Sequence, residues 1–282
     1  MVSGSNALVV GGTSGIGYAI ATRIAASPNY QFSAVTIVGR NKPKAMPASN
    51  VSFRAVDASS MRSLKEFAAE YRGDTNNSPL DLLVMTQGIL TLAGRTETSE
   101  GIDKKMALHY YGRQLLIREL NPIMTPDTKV LVVLDSLNGN PEKRNWNDLD
   151  LQNSFSLSNA ASHCTVMNDA MVQYHAQPQD GRSKGSFTHA YPGVVDTATP
   201  RNSPWYFRAV SKVASKVVGS TPDQCAERLL DGMYKSAEER QKQGLLWSCI
   251  DNHGRTIEGK KVWSEEEMTR IAGHTWATID GI

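Results

Sequence analysis

The chain has 282 residues, 40% hydrophobic and 21% charged, with a net charge of +2. That balance suits a globular enzyme with a sizeable core and gives no reason to invoke nucleic acid or an acidic membrane surface as a partner. Cys164, Cys225 and Cys249 are odd in number, far apart and without metal-type spacing, so they read as free thiols and no metal site is expected. No apolar run approaches membrane-spanning length and no basic leader precedes the first strand, so the expected location is cytoplasmic.

Taken in order, the chain alternates strand-like and helix-like segments. A buried strand over about 6–10 runs into Gly11-Gly12-Thr13-Ser14-Gly15-Ile16-Gly17. An apolar face at helical spacing (Ile16, Ile20, Ile24) comes next and ends at Pro28. A strand, a glycine turn and a helix N-terminus form the arrangement in which free N–H groups and the helix dipole meet a dinucleotide pyrophosphate. The spacing is GxxxGxG rather than GxGxxG, so downstream support is needed. Further strands are expected over Ala34–Val38, Val51–Val56, Asp81–Met85, Lys129–Leu134, Gly185–Ala190 and Leu245–Ile250. Helices are expected over 59–72, 102–121 and 157–174, from Thr221 with Pro222 at its first position, and from Ser264. Residues 135–150 look inserted. The segment 195–219 includes an amphipathic basic stretch from Trp205 to Val218, and 251–282 form a C-terminal extension.

This pattern predicts one α/β domain over 1–282: a Rossmann-type, doubly wound, mostly parallel seven-stranded sheet with helices on both faces. Ligands then bind at the carboxyl ends of the strands. Gly11–Gly17, Arg40, Asp57, Gly88, Ser136 and Pro192-Gly193 all fall at such ends. At the end of the second strand an acid would select NAD, whereas Arg40, with Lys42 nearby, suits a 2′-phosphate, so the expected cofactor is NADPH/NADP+.

In this order and spacing the motifs resemble the short-chain dehydrogenase/reductase superfamily over roughly residues 5–250. The resemblance implies that Asp57 contacts adenine and that Gly88 lets the nicotinamide ribose pack. It places Pro192, Gly193 and Val195 beside the cofactor, with Thr13 and Ser14 as hydroxyl donors. Val10 replaces the usual threonine. Carbonyl-reducing members use a Tyr-x-x-x-Lys pair, a serine and an asparagine. Ser136 fills the serine position and His109 stands in the asparagine slot. The pair is missing in either defensible register, which gives Phe155/Asn159 or Ala161/Thr165. In the second register Asp169 lies one helical turn beyond the vacant lysine position.

The substitute proton donors are His109, by its pKa, Asp135 beside Ser136, and Asp169. His109 can equally keep a structural role at a helix kink. Arg113 reads as a surface charge, and Tyr110 and Tyr111 read as packing. Trp146, Trp205, Tyr206 and Phe207 lie on segments that would cover a bulky, polycyclic substrate, with 195–219 as lid.

The vacant positions look like fungal secondary-metabolism NADPH-dependent reductase/Diels–Alderases of bicyclic indole alkaloid pathways. That resemblance implies hydride transfer to an iminium or similarly activated substrate, then cycloaddition. A redox-silent cyclase or isomerase, a cofactor-binding regulator and a ketoreductase with a substitute donor remain alternatives. Homo-oligomers occur among relatives and nothing in the sequence decides the matter.

Overall fold

A computed structural model describes residues 5–30, 32–177, 185–196 and 219–282. Its strands are β1 (Asn6–Val10), β2 (Ala34–Gly39), β3 (Val51–Ala55), β4 (Leu80–Met85), β5 (Met124–Val133), β6 (Ser186–Ala190) and β7 (Trp247–Ile250). They form one seven-stranded sheet in the order β3-β2-β1-β4-β5-β6-β7, and every neighbouring pair is parallel. The winding direction reverses between β1 and β4, which opens a crevice at their carboxyl ends.

Among the described residues six helices of two turns or more cover the two faces: α1 (Gly15–Ala26), α2 (Met61–Gly73), α3 (Gly112–Leu120), α4 (Leu157–His175), α5 (Pro222–Gln241) and α6 (Glu265–Asp280). Because both faces are covered, the central strands carry continuous apolar runs (Ala7–Val10, Leu82–Met85, Val130–Val133), and β1 is buried at all five positions. On one face Ala7, Val9 and Val84 pack under Ile20 and Ile24 of α1 and Leu229 and Leu230 of α5. On the other, Leu8, Val10 and Val132 pack under α2, α3 and α4, and Ile271 and Ile279 of α6 extend that core.

The predicted punctuation has physical counterparts. Ser60 accepts from the Ser63 N–H at the start of α2, and Thr221 and Ser264 close reciprocal capping boxes with Gln224 and Glu267. β5 starts at Met124, earlier than the expected Lys129, because Thr128 ties that end to β4 by donating to the Leu80 carbonyl at 2.6 Å. The expected helix over 102–121 is broken by a π-helical turn, Ala107–Tyr111, before α3. Residues 197–218 lie outside the described residues, and with them Trp205, Tyr206, Phe207 and most of the expected lid.

Candidate active site

The first turn brings β1, α1 and β4 into close contact. Gly11 has φ +84°, and a Cβ there would stand 2.6 Å from Thr86 Oγ1; a Cβ on Gly17 would stand 2.4 Å from the Gly11 carbonyl. Those two contacts give the GxxxGxG spacing its physical reason: α1 crosses the end of β4 with no room for a side chain. Gly11 and Gly12 both donate to the Val38 carbonyl, which fixes the turn against β2. Ser14, the N-cap of α1, is exposed and its hydroxyl makes no capping bond, so it is available to an anion at the helix terminus. Thr13 packs over Gly39, and Ile16 is half-buried at the start of α1.

Arg40 lies just after β2 and is exposed, next to Asp57 after β3. Burial pushes the Asp57 carboxyl up. The Ser59 N–H and hydroxyl outweigh it, helped by the charges of Arg40 and Lys104, so the group sits below the usual carboxylate range. Across the crevice, Gly193 (φ +71°) packs on Asn252, the Pro192 carbonyl accepts from Cys225, and Val195 bridges to Ser220.

His109 lies in the π-turn, where its Nε2 accepts the Ile89 N–H at 3.0 Å. The proton therefore sits on Nδ1. Burial first, and then the charge of Arg113, push its pKa down to about 3, so it is no acid near neutrality. Of the two roles open to it, the structure assigns the structural one. Gly88 leaves room for the ring, since a Cβ there would come within 3.0 Å of Nε2. The π-turn frees the His109 carbonyl from its helical bond, and Asn168 of α4 satisfies it at 2.9 Å while accepting from Gln114.

Ser136 is fully buried and donates its hydroxyl to the Ile250 carbonyl at 2.7 Å, facing β7 rather than solvent. Asp135 accepts from the N–H groups of Leu137 and Asn138, which makes it the anchor of a turn instead of a proton donor. Tyr110 and Tyr111 are buried and bonded to Thr275 and His274 of α6, and burial raises both phenols. Trp146 is held between Arg144 and Arg270, 4.0 and 4.7 Å from its ring, which fixes it against α6 rather than over a substrate.

Of the two registers, only the second puts both positions on a helix: Phe155 precedes α4, whereas Ala161 and Thr165 lie within it. Ala161 is exposed, and Thr165 is buried against Gly139, just past Ser136. One turn on, Asp169 is buried between Lys260 (2.5 Å) and His189 Nδ1 (2.6 Å), with the Cys249 thiol 3.5 Å away. Lys260 also donates to the Ser136 carbonyl at 2.8 Å. His189 Nε2 has no hydrogen-bond partner among the described residues.

Sequence reasoning missed Lys260, which no spacing rule links to Ser136. It also missed Gln87, a buried amide with both ends unbonded. Arg113, expected on the surface, is 1% exposed. The helix is buried on every side there, from Gly112 through Ile117, so Arg113 is enclosed whatever its phase. Its Nη1 donates to the Val133 carbonyl, Nη2 to the Gln87 carbonyl and Nε to Leu108.

Sheet order and glycine turn together define a Rossmann-type dinucleotide-binding fold. The sequence pattern of the short chain dehydrogenase family matches residues 5–146, and the chain belongs to that family. It is 34% identical to oxidoreductase AN1596 of Emericella nidulans over 70% of this chain and 60% of that one. It is 30% identical to oxidoreductase andH of Emericella variicolor over 68% and 58%. The chain thus spans about three-fifths of the length of these curated relatives. An NADPH-bound carbonyl reductase from chicken fatty liver has the same fold, with a TM-score of 0.57 at 16% identity over 91% of this chain and 99% of that one. Among the described residues no helix is long and apolar enough to cross a membrane.

Proposed function

We propose that this chain is an NADPH-dependent reductase of fungal secondary metabolism. It transfers hydride to an iminium or similarly activated double bond of a bulky apolar molecule. The observation behind this reading is an intact dinucleotide cradle beside a wall whose acid positions hold Ala161 and Thr165. The two oxidoreductase relatives and the NADPH-bound structural neighbour support it.

The residues present fit the cofactor. Gly11, Gly15 and Gly17 let a pyrophosphate approach the start of α1, with Thr13, Ser14 and Ile16 around it. Arg40 meets the 2′-phosphate, Asp57 orders the turn under adenine, and Gly88, Pro192, Gly193 and Val195 border the nicotinamide end. A bound dihydronicotinamide supplies the hydride.

The protein's own part is positioning and exclusion of water, because no described side chain at Ala161, Thr165 or His109 can hand a proton to an alkoxide near neutral pH. A substrate already polarised or cationic does not need that proton. Leu90, Leu92, Leu137 and Val194 are 63, 59, 45 and 49% exposed on the loops after β4, β5 and β6, and this apolar rim suits a lipophilic substrate. Trp205, Tyr206 and Phe207 are the candidates to close over it. A cycloaddition after reduction, as the alkaloid resemblance implies, would use the same enclosure as a template.

The test is a titration with NADPH and with NADH, read by nicotinamide fluorescence. NADPH is expected to bind at least about tenfold tighter, with the difference lost in Arg40→Ala. No binding of either cofactor overturns the reading and favours a redox-silent cyclase.

A further inference from the structure

Two buried cations, Lys105 and Arg113, and the partly buried Lys260 stand near the carboxyl ends of the central strands. Lys105 pairs with Asp103 at 3.3 Å and Lys260 with Asp169 at 2.5 Å. Arg113 is 1% exposed and has no carboxylate partner among the described residues; its donors go to three main-chain carbonyls, two of them (Gln87, Val133) at the ends of β4 and β5. The two pairs cancel, and one unpaired positive charge remains beneath the strand ends where the nicotinamide and the substrate would meet.

The ionisable groups beside Arg113 do not offset it. Burial pushes the Cys164 thiol up to about 12 and the His109 imidazole down to about 3, so both are neutral at ordinary pH. Taking a guanidinium out of water is costly, and a neutral side chain could have filled the same space. A cation is therefore a poor ligand for this pocket. At an effective dielectric of about 20, a second unit charge about 8 Å away is repelled enough to weaken binding on the order of thirtyfold.

We propose that Arg113 makes this site select neutral carbonyl acceptors, conjugated enones first, and reject iminium cations. The proposal rests on the reductase reading above, and of the two acceptor types named there it keeps the neutral activated double bond and drops the iminium. The step balances without an acid on oxygen. Hydride from NADPH forms a C–H bond at the β-carbon, and the π electrons move onto the carbonyl oxygen as an enolate. Once the enolate meets solvent on release, the α-carbon takes a proton from water, leaving a saturated ketone, NADP+ and a hydroxide that the buffer neutralises. Negative charge on the enolate oxygen is what a fixed cation favours.

The test uses two bicyclic ligands of similar size, neutral 2-methylene-1-tetralone and cationic N-methyl-3,4-dihydroisoquinolinium. Each is titrated by tryptophan fluorescence into the protein with 1,4,5,6-tetrahydro-NADP, whose nicotinamide ring is uncharged and gives no hydride, and assayed separately for NADPH consumption. The wild type is expected to bind the neutral ligand at least about thirtyfold tighter. Arg113→Lys keeps most of that ratio, and Arg113→Met lowers it at least about tenfold. A fold with the charge merely in a structural role would lose affinity for both ligands together. Where Arg113→Met fails to melt cooperatively, Arg113→Gln is read in its place, and if both fail, the wild-type ratio and Arg113→Lys decide. Neutral ligand bound no better than the cation, or a ratio unmoved by loss of the charge, overturns the proposal. Discrimination without NADPH consumption counts against the reductase reading alone, and consumption without discrimination against the charge assignment alone.

Discussion

At the scale of single residues, the site turns on which polar groups are already engaged. His109 accepts from Ile89, and its folded pKa of about 3 lies below the ordinary 6.5. Between those values the unfolded chain takes up a proton that the folded chain does not. Its contribution to stability is thus complete above pH 6.5 and is lost as pH falls toward about 3, at up to about 1.4 kcal/mol per pH unit. Urea melts at several pH values should show a shallower acid slope in His109→Asn than in the wild type. His109→Leu leaves the Ile89 N–H unsatisfied and should cost about 1–3 kcal/mol at neutral pH.

Lys260 offers a second check. Lys260→Met strands the Asp169 carboxylate and should cost about 3–5 kcal/mol. Lys260→Met combined with Asp169→Asn should recover much of the lost melting temperature, which a purely steric role for Lys260 would not allow.

At the scale of elements, α6 and the π-turn are one construction. Tyr110 and Tyr111, both fully buried, reach Thr275 at 2.6 Å and His274 at 2.9 Å, so the kinked turn is fastened to a helix more than 160 residues later. Ser264→Ala, which opens the capping box of α6, should cost about 1 kcal/mol. Chemical denaturation should register that loss without a change in NADPH affinity. The sequence showed the start of α6 at Ser264, and the structure adds the reciprocal bond with Glu267 three residues on, a local signal. The sequence could not show the π-turn: one extra residue leaves the composition of Ala107–Tyr111 unchanged and shifts only the phase of α3. Arg113 reads as solvated in the sequence because a helical arginine usually is, and it is buried in the fold because α3 is enclosed on every side from Gly112 to Ile117. Asn168, which donates to the His109 carbonyl from 59 residues away, leaves no local signal.

At the scale of the whole molecule, the sheet and the cofactor end were legible because their signals are short-ranged. Apolar runs of five or six residues, glycine turns and capping residues fall within a few positions of one another. Gly11, Arg40, Asp57 and Gly88 could be placed at strand ends from that alone. The wall on the substrate side of the proposed site is built differently. Ser136, Asp169, His189, Cys249 and Lys260 are scattered over more than 120 residues of chain, and only the closed sheet brings them together. The sequence leaves two registers open for the catalytic helix, and the observed start of α4 at Leu157 separates them by leaving Phe155 outside.

That distribution also sets an order in time. The glycine turn, α1, β2 and β4, proposed to carry the adenine and pyrophosphate end, are complete by Gly88, whereas Pro192, Gly193 and Val195 come later. Ser136, in contrast, is fastened at its hydroxyl by Ile250 and at its carbonyl by Lys260, 114 and 124 residues downstream. At translation rates of roughly 5–20 residues per second, roughly ten to thirty seconds separate the two. A ribosome-bound chain stalled near residue 255 should already quench NADPH fluorescence differently from one stalled near 50, and should consume none. In a chain under synthesis the elements proposed to meet the adenine and pyrophosphate thus exist before those that fasten Ser136.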